Sequence, residues 1–199
     1  IDFRDTKEVK MAPDNLSPKL LEKYINLPIS ASTLSRMVSQ KQINGDNIKS
    51  YETVMEESYR MYINDHKKVW IKFFEILLRS NKRPIIFHCS AGKDRTGIAS
   101  FMIQSIFNNH IDKIFENYLI SNDLLTIKAA TAEQKTNSSK QDTQVTKNML
   151  STLGKVQTSY LNAAIDEIEK KYSSLENYFI SQLGLKHNDI QKIKQIFGN

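Results

Sequence analysis

Residues 84–97 read PIIFHCSAGKDRTG, and no other stretch limits the possible folds as tightly. Ile85, Ile86 and Phe87 form a short continuous apolar run behind the turn-like SNKRP, residues 80–84. A polar, glycine-containing loop follows at once. After Thr96 an apolar helix carries Ile98, Phe101, Met102, Ser105 and Ile106. A run this short, bounded by turn signals and followed by a helix, suits a buried parallel strand.

The rest of the chain fits around that unit. Ile1–Phe3 and Tyr24–Ile29 are rich in branched and aromatic residues and read as strands. Pro13, Asp14, Asn15, Ser17 and Pro18 punctuate the segment between them. Residues 30–50 show weak periodicity, with a turn expected at NGDN, residues 44–47. From Tyr51 to Ser80 the pattern is helical. Val69, Trp70, Phe73, Phe74, Leu77 and Leu78 make one apolar face. The C-terminal region, 120–199, reads as helical. Leu161, Ala164, Ile165, Ile168 and Tyr172 share a face, and Ser173 with Glu176 predicts a capping box. Gly184 marks a stop, and Ile190, Ile193 and Phe197 line a last helix. The expected fold class is α/β: a central, mostly parallel sheet flanked by helices, with a helical C-terminal extension. The 199 residues suit a single domain spanning 1–199.

Composition narrows the function. Lys and Arg outnumber Asp and Glu 28 to 22, a net charge of +6. That balance is compatible with an anionic surface or substrate, and most of it reads as a solvated surface. The polar stretch KTNSSKQDTQ, residues 135–144, mixes signs and lacks aromatics, so no nucleic-acid partner is expected. No apolar run is long enough for a membrane span. The opening IDFRDTKEV is not a signal peptide, which leaves a cytoplasmic or a secreted location open. One cysteine allows no internal disulfide. Four scattered histidines, without CxxC or HExxH spacing, point to no metal and no cofactor.

The loop has a chemistry of its own. A thiol beside positive charge at a helix N-terminus is favoured as thiolate. Here the helix is expected to start near Arg95, so its free N–H groups and dipole face Cys89. The five residues Ser90, Ala91, Gly92, Lys93 and Asp94 can curl their N–H groups around one anion, and Gly92 permits the close approach. Arg95 supplies a bidentate fork for phosphate. A nucleophilic sulfur under an anion cradle describes attack on phosphorus through a covalent thiophosphate. Asp94 is the nearest candidate to protonate the leaving oxygen, with Lys93 and Arg95 expected to lower its pKa. Thr96 is placed to hydrogen-bond the thiolate, and His88 to orient the loop. A lone cysteine after an apolar run is more often an inert core residue. The whole pattern H-C-x-x-G-x-x-R-[ST] arises by chance in a chain this size on the order of once in ten thousand. Sulfur transfer or arsenate reduction is disfavoured because no second thiol exists in the chain.

HCSAGKDRTG resembles the C-x5-R signature of the cysteine-dependent phosphatases. Its GKDRTG continuation is similar to the atypical bacterial tyrosine and lipid phosphatases. IDFRDTKEV resembles that family's D-[LF]-R-[SD]-x-x-E motif, and INLPI the strand after it. ENYLISN resembles its (E)DYLLSN segment, and YLNAAIDEIEKKYSSLENYFISQLGL its C-terminal helical region. The resemblance implies Cys89 as nucleophile, Arg95 as phosphate clamp and Asp94 as acid. Lys93 also occurs in the loop of phosphoinositide phosphatases, which implies contact with a second phosphate and tolerance for lipid headgroups. The implied activity is a phosphomonoesterase acting on phosphotyrosine, on phosphoserine or phosphothreonine, or on phosphoinositides. The implied partners are a phosphorylated protein or a phosphoinositide, with transient contact to an anionic membrane surface. The alternatives are a catalytically weak phosphate-binding module or a lipid-only phosphatase. Asn117 stands where the family often has Asp, and Ser173 where it has Gly. Family members carry a longer stretch ahead of the D-[LF]-R motif, including N-[FL]-R-D-[LI]-G, and no residues here correspond to it. The resemblance therefore implies a chain lacking the N-terminal part of the family domain.

Overall fold

A computed structural model describes residues 1–30, 48–133 and 154–198, with side chains described except at 48–50 and 125–133. The readings placed on NGDN and on KTNSSKQDTQ lie outside the described residues.

Ile1–Phe3 runs parallel to two other segments, through the bridges Asp2–Asn26 and Asp2–His88. On one side Asp2 N donates to Ile25 O at 2.9 Å and Leu27 N to Asp2 O at 2.8 Å. On the other, His88 N donates to Ile1 O at 3.0 Å and Phe3 N to His88 O at 2.8 Å. Among the described residues, β structure is limited to these two bridges. The run Ile85–Phe87 is not enclosed on both faces as its composition suggests. Alternate side chains point to opposite faces. Ile85 and Phe87 therefore pack on the core, while Ile86 is 82% exposed.

Helices make up the remaining regular structure of the described residues. They are α1 (Thr6–Met11), α2 (Pro18–Leu21), α3 (Ile48–Asn64), α4 (Lys67–Arg79) and α5 (Asp94–Ile106). After these come α6 (Ile111–Glu133), α7 (Thr158–Tyr172), α8 (Leu175–Ser181) and α9 (His187–Phe197). The helical pattern over 51–80 is carried by two helices, α3 and α4, parted at Asp65 and His66. No described helix is long and apolar enough to cross a membrane.

The apolar face read from the sequence in α4 is the centre of the core. Trp70, Phe73 and Phe74 are fully buried and Leu77 nearly so. Phe3 lies 5.5 Å, ring centre to ring centre, from both Trp70 and Phe73, which ties the central segment to α4. Each such ring stabilises the fold by roughly 1.5–3 kcal/mol through burial. The Trp70 indole donates to Tyr62 O at 2.7 Å, satisfying its one polar atom. α3 packs mainly along α7, and Tyr178 of α8 donates to Ile63 O at 2.9 Å.

The turn between α7 and α8 differs from the expectation by one residue. Ser173 closes α7 in the left-handed region, at φ +67. Ser174, in extended backbone, caps α8 by accepting from Asn177 N. A residue at positive φ cannot also serve as an N-cap, which needs extended backbone. The glycine common at this place in the family is explained by the same geometry.

Candidate active site

The loop between His88 and α5 splits into an exposed rim and a buried base. Ser90, Ala91 and Gly92 are exposed, whereas Cys89, Lys93 and Arg95 are each 5% exposed. Gly92 sits at φ +72 with no atom within 4 Å of where a Cβ would be. The requirement for glycine is therefore conformational rather than a matter of space. Asp94 opens α5 and Arg95 is its second residue, one position from where the sequence placed the start. Among the described residues, none accepts from the backbone N–H groups of Ser90, Ala91, Gly92, Asp94 or Arg95. A row of open donors at a helix start is an anion site in waiting.

Arg95 is held by a residue that sequence reasoning passed over. Glu8 accepts from Arg95 Nη1 at 2.6 Å and from Nη2 at 2.7 Å, a bidentate pair, and it also accepts from the Ser90 hydroxyl. Arg95 Nη1 also donates to Ile29 O at 3.0 Å and to Phe3 O at 3.3 Å. One edge of the guanidinium is therefore anchored to the protein. Its Nε has no acceptor among the described residues. The edge bearing Nε is left for a ligand.

Glu8 is itself placed by a capping box. Asp5 caps α1 by accepting from Lys7 N and Glu8 N, while Glu8 accepts from Asp5 N at 2.9 Å. The D-x-x-E spacing of residues 5–8 is the signal that points to it. Burial alone would raise the Glu8 carboxyl, but the hydrogen bonds from Arg95 and Ser90 outweigh it and hold the carboxyl at about 2. A group lowered on folding stabilises the fold fully above its unfolded value near 4.5, and the gain fades as pH falls toward about 2. Glu8→Gln should lower the melting temperature at neutral pH, by at most about 3 kcal/mol in stability. That deficit should close as the pH is taken from 5 down to 2. Melting curves across that range measure it, and a deficit independent of pH would contradict the ion-pair origin.

Asp94 departs from expectation in direction. Its neighbours Lys93 and Arg95 do favour the ionised form, but burial is the larger influence and pushes the carboxyl up. Its side chain is 18% exposed, and Oδ1 accepts from the Tyr59 hydroxyl at 2.9 Å. Lys93 Nζ lies 3.6 Å from Asp94 Oδ2 and donates to Lys155 O at 3.3 Å. The lysine is turned into the protein, not out over the loop. Thr96 does not reach the sulfur: its Oγ1 is buried with no hydrogen-bond partner. Thr96 also lines a cavity of about 90 Å³ between α5 and α6, together with Gly92, Gly97 and Tyr118.

His88 does meet the loop, its Nδ1 lying 3.2 Å from Cys89 O. Its Nε2 is 3.3 Å from Asp14. Asp2, Asp14 and His88 bring ligand-type atoms within 4.8 Å of one another. Arg4 is the cation facing these carboxylates. Its Nε lies 3.0 Å from both Asp2 oxygens, and Nη2 lies 2.8 Å from Asp2 and from Asp14. Burial would raise Asp2, and the hydrogen bonds from Arg4 and Tyr24 bring it below its usual value. Asp2 and Arg4 are both buried, and Asp2 Oδ1 lies 4.0 Å from His88 Nδ1.

The tyrosine phosphatase family matches residues 1–198. A tyrosine-protein phosphatase of Nostoc commune is 22% identical over 199 residues, covering 100% of this chain and 65% of the relative. The triple specificity protein phosphatase PtpB of Mycobacterium tuberculosis is 26% identical over 180 residues, 83% of this chain and 64% of its own. The inositol diphosphatase SIW14 of Saccharomyces cerevisiae is 32% identical over 71 residues, 36% of this chain and 25% of the relative. The chain spans less than two thirds of the length of the relatives it matches most fully. With the match running from the central segment through the loop to the last helix, the chain belongs to the tyrosine phosphatase family.

Proposed function

We propose that the protein hydrolyses phosphate monoesters through a cysteinyl-phosphate intermediate. The observation that carries this reading is the pairing of a buried cysteine with an arginine whose outer edge and neighbouring N–H groups are open. Cys89 Sγ attacks phosphorus as the bond to the leaving oxygen breaks. Arg95 and the loop N–H groups hold the non-bridging oxygens, whose charge grows in the transition state. Asp94 gives its proton to the leaving oxygen. Burial pushes its carboxyl upward, the direction that suits an acid. Water then attacks the S–P bond, returning the thiolate and inorganic phosphate. In the second step Asp94 recovers its proton from that water.

The substrates proposed are phosphotyrosine and related protein phosphomonoesters, together with inositol phosphates. The names of PtpB and SIW14 support that breadth. The buried ammonium of Lys93 supports a single-phosphate site more than a second-phosphate contact. We also infer an α/β fold in one domain, with Ile1–Phe3 central to a parallel sheet. The two parallel bridges support it. The expected result is turnover of p-nitrophenyl phosphate at an undiminished rate in EDTA, with competitive inhibition by vanadate. Absence of turnover in the folded protein, with vanadate or phosphate still protecting it against heat, would favour a phosphate-binding module instead.

A further inference from the structure

Two side chains of ENYLISN, residues 116–122, connect to the phosphate loop through one intermediary each, although the stretch lies on a different helix. Asn122 clasps the backbone of Val156, donating to its carbonyl at 3.0 Å and accepting from its N–H at 2.8 Å. That clasp fixes the neighbouring Lys155 carbonyl, which accepts from Lys93. Tyr118 reaches the loop from the other side. Its hydroxyl is 2.6 Å from that of Tyr59, and Tyr59 donates to Asp94 Oδ1 at 2.9 Å. Tyr59 is fully buried and Tyr118 is 5% exposed.

A phenol has one hydrogen to give. Tyr59 gives its own to Asp94, so the contact between the hydroxyls is Tyr118 donating to Tyr59. The chain therefore runs Tyr118 to Tyr59 to Asp94 Oδ1. Oδ1 is thereby held by a neutral phenol, while Oδ2 faces the Lys93 ammonium. We propose that Tyr59, backed by Tyr118, is a positioning residue that fixes the orientation of the Asp94 carboxyl for proton transfer. The inference rests on the reading of Asp94 as the acid of the reaction.

Phenols suit this task. Burial pushes both well above their usual range, so they stay neutral donors at any working pH. A third cation in their place would pull the carboxyl down. Phenylalanine would leave Oδ1 buried without a partner. The charged and titratable groups facing Asp94 are Lys93 and Arg95 from the loop and α5, Tyr59 and Tyr62 from α3, Tyr118 from α6 and Tyr160 from α7. Only the two cations carry charge near neutral pH, and both are fixed by other partners.

The test compares kcat/KM against pH for Tyr59→Phe, Tyr118→Phe and Asp94→Asn. Phenyl phosphate serves as the substrate with a basic leaving group and p-nitrophenyl phosphate as the one that needs little protonation, with a melting curve for each variant. Tyr59→Phe should lower kcat/KM on phenyl phosphate about tenfold and on p-nitrophenyl phosphate much less. Its alkaline limb should move to higher pH, because a donor to the ionised carboxylate is gone. Tyr118→Phe should shift the same limb the same way by less, and it decides the matter if Tyr59→Phe does not fold. Folded variants with the wild-type limb and the wild-type ratio between substrates would assign both tyrosines to packing and overturn the inference. Asp94→Asn should lose phenyl phosphate turnover whether or not the tyrosines matter. If it keeps wild-type rates on both substrates, the acid reading fails and the inference falls with it.

Discussion

Cys89→Ser should turn over p-nitrophenyl phosphate on the order of 10⁴-fold more slowly than the wild-type protein, a loss of about 5.5 kcal/mol in transition-state stabilisation. The exchange is nearly isosteric at a side chain that is 5% exposed, so the fold should survive it. What changes is the nucleophile. A serine hydroxyl needs a base to take its proton, and Glu8, the carboxylate bonded to the loop, is already engaged by Arg95 and Ser90. Arg95, the open N–H groups and the start of α5 present positive charge and donors at this loop. Steady-state rates alongside melting curves make the measurement. A folded Cys89→Ser protein within tenfold of wild type would exclude the cysteinyl-phosphate route.

Arg95→Lys should cost about 10³-fold in kcat/KM, despite the preserved charge. The guanidinium does two things at once. Its Nη1 and Nη2 hold Glu8, while Nη1 also satisfies the carbonyls of Phe3 and Ile29. Its Nε edge remains for the anion. An ammonium is a point donor and cannot fill both faces, so it will settle on Glu8 or on the ligand. Either choice leaves buried acceptors unpaired, which costs about 1–3 kcal/mol for each group. The variant should therefore melt earlier as well as react more slowly. Rates and melts under matched conditions test both effects. A rise in KM with kcat unchanged would mean that Arg95 binds ground and transition states alike, contrary to the proposed clamp.

The loop was legible because its chemistry is local: Cys89, Gly92 and Arg95 fall within seven consecutive residues. Helical periodicity likewise placed α4, α5 and α7, whose apolar faces are the ones buried. What escaped the sequence lies across long separations. Glu8 meets Arg95 over 87 residues, and Tyr59 meets Asp94 over 35. No pattern within either stretch announces a partner so far away. The expectation for Asp94 failed for a related reason. Its sequence neighbours are both cations, whereas the burial that outweighs them is made by α3 and α6. Ile86 shows the same limit in the other direction. Three apolar residues in a row read as enclosed, yet nothing in their order says which face the rest of the chain will cover.

Gly97, the last residue of GKDRTG, extends the reach of the loop into the history open to this sequence. A Cβ built there would lie 2.9 and 3.0 Å from the Tyr118 ring. Any larger residue at 97 must displace that ring, and with it the hydroxyl that backs Tyr59. Substitution at 97 therefore requires the Tyr118 ring, or α5 against α6, to move. The two positions are coupled: enlarging residue 97 disturbs the hydroxyl contact by which Tyr118 backs Tyr59 on the far side of Asp94.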